Sequence, residues 1–200
     1  MGRIEPLALS EIPDLEDIGR MYETIFGFVP NGLRIMARRP GIVEAFVKLR
    51  KAVMDPATSE VSLELKGLVG HMASKAAGCR YCQAHSAYGA DRAGVAAARL
   101  EQVWDFETSD LFTEAERAAL RFAVLAASVP NGVTDTVFES MREHWDDGQI
   151  VEILAVVALY GFLNRWNDSL ATPLEDPSAE AARRLIGAKG WEIGKHGSAG

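Results

Sequence analysis

The sequence holds two cysteines in 200 residues, so no disulfide framework can be built from them. They lie three apart, Cys79 and Cys82, which marks a site rather than a staple. Lys and Arg nowhere cluster, and the net charge is −7. An acidic chain without a basic patch has little to offer a phosphate backbone, which argues against nucleic acid as the partner. The longest apolar stretch, Ile150 to Leu163, is interrupted by Glu152 and Gly161 and falls short of the ~20 residues of a bilayer span. The first 20 residues carry Glu5, Glu11, Asp14, Glu16 and Asp17 and no basic region ahead of an apolar run, unlike a signal peptide. These absences lead us to expect a cytoplasmic protein with no membrane partner, in a compartment that keeps thiols reduced.

Alternating Val/Ile/Thr runs are also missing, whereas Ala, Leu, Glu and Arg are plentiful. That composition predicts an all-α fold. We expect one helical domain over 1–190, with a cysteine-bearing half at about 14–100 and a second helical half at about 112–170; 191–200 reads as a flexible tail. Asp14 is positioned to cap a helix at 15–26, and a short helix stops before Pro40. The next covers about 41–53. Ser59 or Ser62 caps a helix to residue 77 whose stripe is Leu65, Leu68, Val69, Met72 and Ala76. Gly78 breaks it, and a new helix starts near Cys79 and ends around Tyr88, with Asp91 capping another at 92–99. Thr113 and Glu116 form a capping box, and Thr134 or Asp135 caps a helix to about His144. The most apolar helix, 149–168, is expected to be central, and 179–186 is the last. At an offset of 85 residues, Leu65, Leu68 and Val69 fall on Ile150, Ile153 and Leu154, and Cys79 to Cys82 falls on Asn164 to Asn167. The echo leaves open a duplicated helical unit.

The segment Gly78-Cys79-Arg80-Tyr81-Cys82-Gln83-Ala84-His85 carries the chemistry. On a helix, i,i+3 spacing puts both thiols on one face. Unpaired N–H groups at a helix start stabilise a thiolate at Cys79. His85 is one turn past Cys82 and can take its proton. Glu64 and His71, seven apart on the preceding helix, can form a carboxylate–imidazole relay toward the cysteines. Lys66 and Lys75 read as solvated, Arg80 as the partner of an acidic neighbour, and Tyr81 as packing. Phe26, Phe28, Met36 and Phe46 read as core, or as the lining of a substrate entrance. Asn164, Arg165, Asn167 and Asp168 read as a buried polar network or a subunit contact. From the residues alone the cysteines remain either a redox pair, half of a zinc site, or inert buried thiols.

The run Leu65 to His85 resembles the AhpD-like / carboxymuconolactone decarboxylase family, most closely in Ser74-Lys75-Ala76-Ala77-Gly78-Cys79-Arg80-Tyr81-Cys82. Thr113-Glu114-Ala115-Glu116-Arg117, Asp147-Gly148-Gln149-Ile150-Val151-Glu152 and Asn164-Arg165-Trp166-Asn167-Asp168 also look like that family, so the resemblance spans most of 15–170. It implies an AhpD-like bundle of packed helix pairs that assembles into a homo-oligomer (trimer, hexamer or dimer). It further implies a thiol-dependent peroxidase acting on hydrogen peroxide or an organic hydroperoxide. Cys82 would attack the peroxide and Cys79 would resolve it to a disulfide. A thiol or lipoyl-type dithiol donor would restore the pair, with no metal or organic cofactor. Two positions depart from the family pattern. The usual relay Glu, twelve residues before the first Cys, is Gly67, with Glu64 one turn earlier, and His85 follows Cys82 by three residues rather than four. The rival readings are a decarboxylase, lactone-processing enzyme or isomerase on this scaffold, and a non-enzymatic redox-sensing or metal-binding module.

Overall fold

The computed structural model describes residues 2–12 and 16–197. Among them there is no strand. Ten α-helices follow one another: α1 (Glu16–Phe26), α2 (Asn31–Met36), α3 (Pro40–Met54), α4 (Leu63–Ala76), α5 (Arg80–Arg92), α6 (Ala97–Gln102), α7 (Glu114–Ala127), α8 (Asp135–Arg142), α9 (Asp147–Leu170) and α10 (Asp176–Ile186). The expected all-α fold is therefore the observed one. The cap read at Asp14 lies outside the described residues.

The helix starts follow local chemistry. The Ser62 hydroxyl accepts the Leu65 N–H at 3.2 Å. Thr113 and Glu116 close a full capping box at α7. Asp146 and Gln149 close another at α9, so α9 begins inside what reads as a turn. Asp91 caps nothing. α5 runs on through it to Arg92, and Asp91 binds Arg184 at 2.6 Å.

α4 is the central helix, not α9. It packs on α5, α7 and α9. The stripe residues Leu65, Leu68, Val69 and Met72 are buried, and so are Lys66, His71 and Ser74 on its other faces. Lys66 is thus not solvated. Its ammonium donates to Val53 O at 2.7 Å and Ser59 Oγ at 2.6 Å, and pairs with Glu152 at 2.8 Å. A buried ammonium needs such a cage, because desolvation without partners would remove its charge. α9 leaves Val151, Leu154 and Phe162 exposed. It is the one described helix long and apolar enough to cross a membrane, and here it packs against α3, α4, α5 and α7.

Two glycines let α9 approach the site. A Cβ at Gly70 would fall 2.2 Å from the Tyr160 ring, and one at Gly32 would fall 2.5 Å from Asn167 Oδ1. The duplication echo is not reproduced in backbone. α4 and α5 are two helices where α9 is one continuous run. Residues 191–197 also differ from the flexible tail expected over 191–200. Trp191 is buried, His196 is 1% exposed, and the Leu174 N–H donates to His196 O at 2.9 Å, so residues 191–197 close over the α9–α10 connection.

Candidate active site

Gly78 creates the site. It sits at φ +72°, a left-handed conformation that costs glycine nothing. The Gly78 and Cys79 N–H groups bond back to Lys75 O and Ser74 O, ending α4 in a Schellman turn. The chain then restarts as α5 with Cys79 as its N-cap. The Cys79 sulfur accepts the Cys82 N–H at 3.4 Å, so the first turn of α5 closes on that sulfur.

The two sulfurs have different surroundings. Both are buried and unbridged. Cys82 lines a cavity with Tyr22, Phe26, Met36, Phe46, Tyr160 and Leu163. Its water-accessible space is about 80 Å³, well above the ~15 Å³ that one water needs. Burial pushes the Cys82 thiol well above its ordinary pKa, and the neighbouring Cys79 adds to the rise. The Asn167 amide opposes it, with Nδ2 3.7 Å from Cys82 Sγ. Asn167 therefore belongs to the site, and the polar end of α9 is more than a structural knot.

Cys79 faces a different group. His196 Nδ1 lies 2.9 Å from Thr172 O, so Nδ1 carries the proton and a neutral ring leaves Nε2 bare. That Nε2 is buried without a hydrogen-bond partner, 3.6 Å from Asp168 Oδ1. Burial lowers the His196 pKa, which favours the bare form. Cys79, Asp168 and His196 offer ligand atoms all within 4.8 Å of one another. These are zinc-type donors, but no fourth such residue joins them among the described residues. Asp168 also pairs with Lys195 at 2.7 Å.

His85 reaches the Cys82 cavity from α5, as the spacing predicts. Its Nε2 lies 2.6 Å from Glu175 Oε2, with the two side chains 12% and 11% exposed. Burial alone would raise the Glu175 pKa. The His85 charge and the hydrogen bonds from His85 and the Asn31 N–H outweigh it and hold the carboxyl below its ordinary value. With Nε2 on the carboxylate, Nδ1 is the ring nitrogen that this contact leaves free. Tyr81 is more than packing. Its ring stacks on His85 at 4.3 Å, and its hydroxyl donates to Glu175 Oε1 at 3.1 Å while accepting the Gly32 N–H at 3.2 Å. Phe26 and Phe28 flank the imidazole at 5.8 and 5.9 Å.

The Glu64–His71 relay is not assembled. Glu64 accepts from Arg99 at 2.6 Å, beside Glu116 on the same guanidinium. Trp104 Nε1–H donates to His71 Nε2 at 2.8 Å, so His71 Nδ1–H faces Ser86 Oγ at 2.9 Å. Burial lowers the His71 pKa to about 4, which keeps the ring neutral at neutral pH. Gly67, at the usual relay position, faces Ala90 of α5. Sequence reasoning missed Glu175, which lies 90 residues from its partner His85 and carries no local signal beyond its place between Pro173 and Pro177.

The fold has counterparts of known structure. Residues 40–125 match the carboxymuconolactone decarboxylase family. The debrominase Bmp8 is 34% identical, with a TM-score of 0.85 over 91% of this chain and 97% of that one. The chain belongs to the carboxymuconolactone decarboxylase family. A cysteine-to-alanine variant of Bmp8, solved with 2,3,4-tribromopyrrole, is 33% identical with a TM-score of 0.86, covering 91% and 96%. YnjA of Escherichia coli K12 is 27% identical over 175 residues, 84% of this chain and 92% of its own. At 23% identity, a peroxidase-related protein from Ralstonia eutropha JMP134 with an AhpD core shares the fold, with a TM-score of 0.77 over 88% and 94%. Family membership and a debrominase relative point to an enzyme, and the fold is AhpD-like.

Proposed function

We propose that the protein is a dithiol oxidoreductase, whose Cys79/Cys82 pair closes to a disulfide while a small apolar substrate takes up two electrons. The observation that carries this reading is the unequal placement of the sulfurs. Cys82 opens on a cavity. Cys79 is sealed beneath it, one turn away and close to a bare imidazole nitrogen.

The first substrate class is an organic hydroperoxide. Cys82 thiolate attacks the distal oxygen, the O–O bond breaks, and Cys82 becomes a sulfenic acid. The alkoxide leaves with a proton from His85. Cys79 passes its proton to His196 and attacks Cys82 Sγ, and hydroxide departs as water once protonated. The two electrons have moved from the thiols to the peroxide. An external dithiol of lipoyl type restores the pair by exchange. No metal or organic cofactor enters this cycle.

The likeness to Bmp8 favours a second class, a halogenated aromatic. Here a carbon–bromine bond becomes carbon–hydrogen, bromide leaves, and the same two thiols supply the electrons. The aromatic lining of the cavity suits a flat ring.

Intact mass after acid quench separates the readings. The reduced protein is mixed with one equivalent of cumene hydroperoxide or of a polybrominated pyrrole. The expected product has lost two hydrogens, and the Cys82→Ser variant stays reduced. With hydroperoxide, Cys79→Ser stops one oxygen heavier. Disulfide with the brominated ring, together with stoichiometric bromide, selects the second class. Thiols that survive both substrates, or serine variants that behave alike, overturn the proposal.

A further inference from the structure

The Cys82 cavity contains one full charge that the redox cycle does not use. Arg50 projects into it from α3 and is half-buried. Three other guanidiniums are, by contrast, occupied. Arg34 bonds Leu7 O and Asn31, Arg92 bonds Ile25 O, and Arg99 bonds Glu64 and Glu116. Arg50 has no hydrogen bond or ion pair among the described residues. Its guanidinium carbon lies 5.4 Å from the centroid of the Tyr22 ring. The Tyr22 hydroxyl is itself buried without a hydrogen-bond partner. Glu175, the carboxylate that holds the cavity's His85, is taken up by His85, Tyr81 and Asn31.

A half-buried cation and a buried hydroxyl, both unpaired in one apolar cavity, are a costly arrangement unless a ligand completes it. A guanidinium pairs best with a planar anion that accepts two parallel N–H bonds. We propose that the cavity is a site for an apolar organic anion, in which Arg50 and the Tyr22 hydroxyl hold the charged head and the aromatic and aliphatic walls hold the body. The inference rests on the Cys82 cavity being the substrate site, and it names the substrate class: a small aromatic or aliphatic acid carrying the reducible group, not its neutral analogue. Arg50 would then set specificity through binding, while Cys82 and Cys79 do the chemistry.

The test measures binding without turnover, so it stands apart from the fate of the dithiol reading. The Cys82→Ser protein is titrated calorimetrically with 4-bromobenzoate and with its methyl ester. The expected result is that the acid binds at least about 10-fold tighter than the ester, the usual scale of one charge-assisted contact. Arg50→Gln on that background should erase the difference by weakening the acid alone, and Arg50→Lys should restore part of it. The exposed edge and missing partners of Arg50 make both variants safe for folding, which circular dichroism checks. Equal affinity for acid and ester overturns the inference. So does an Arg50→Gln variant that keeps the preference, or one that weakens both ligands alike.

Discussion

Asn167→Ala removes the amide that faces the Cys82 sulfur, 3.7 Å away. The consequence can be worked from the site. Burial and the Cys79 sulfur push the Cys82 thiol up, and the Asn167 hydrogen bond works against them. A hydrogen bond to a charged acceptor is worth about 1.5–3 kcal/mol, and the long reach to sulfur puts this one at the low end. Its loss raises the thiol by about one pKa unit. At neutral pH the thiolate fraction falls about tenfold. A more basic thiolate is also a better nucleophile, with a Brønsted slope of about 0.4–0.5, so the observed rate falls only about threefold. Far above the pKa the order reverses and the variant reacts about threefold faster. Stopped-flow reaction with methyl methanethiosulfonate across pH, on a Cys79→Ser background, reads both limbs. Asn167→Asp puts a negative charge in the same place and should shift the profile further in the same direction. Superimposable profiles for wild type and Asn167→Ala, or a downward shift for Asn167→Asp, would refute the reasoning.

Other consequences follow from the same contacts. The Glu175 carboxyl is held below its ordinary value in the folded protein, so its stabilising contribution is present above the unfolded value of about 4.3 and is lost as pH falls through the folded one. Urea midpoints of wild type and Glu175→Gln should therefore differ at pH 7 and converge in acid; a constant gap would contradict this. Lys66→Ala should cost about 3–5 kcal/mol, because it strips the Glu152 pair and leaves Val53 O and Ser59 Oγ without their donor. Lys66→Met refills the volume and should cost less, and a cost under about 1 kcal/mol for the alanine variant would show that the cage matters little. Glu64→Gln touches only a partly exposed pair with Arg99 and should change stability by less than about 1 kcal/mol, with no effect on the rate of dithiol oxidation. A tenfold slower oxidation in that variant would bring back a role for Glu64 in proton transfer.

What the sequence disclosed about this site is what lies close along the chain. Ser62, Thr113 and Glu116 announce their helices because a cap involves residues three apart. Gly78 announces the break that puts Cys79 at a helix start, and His85 lies one turn past Cys82 on the same helix. Glu64 and His71 also looked like partners by that logic, and there it failed. Helical spacing states which face a residue occupies, but not which neighbour reaches it first. Arg99 comes from α6, and Trp104 from the turn that follows it. Lys66 is the same lesson inverted. Its charge suggested solvent, and a carbonyl from the last turn of α3, a serine and an α9 carboxylate made burial affordable. Glu175, Asn167, Arg50 and His196 converge from four separate stretches of chain, so no local pattern could have joined them.

The placement of these late arrivals explains how two thiols three residues apart can perform different steps. Neither sulfur differs from the other by residue type, and both are buried. Cys79 is fixed by the helix start, where a backbone N–H points at it and His196 offers a bare nitrogen close by. Burial makes Cys82 hard to ionise, yet it is the one that meets the cavity. In the proposed cycle access sets the order of attack, and the second step falls to Cys79, which must displace a group already attached to Cys82. Exchanging the surroundings rather than the cysteines should be enough to disturb that order. His196→Ala leaves Cys82 and its cavity untouched but removes the nitrogen beside Cys79, so the first adduct on Cys82 should accumulate and disulfide closure should lag. Rapid-quench mass measurement after one equivalent of hydroperoxide would show an oxygen-bearing intermediate that wild type does not build up. Closure at the wild-type rate would mean that Cys79 needs no proton acceptor beyond its place at the helix start.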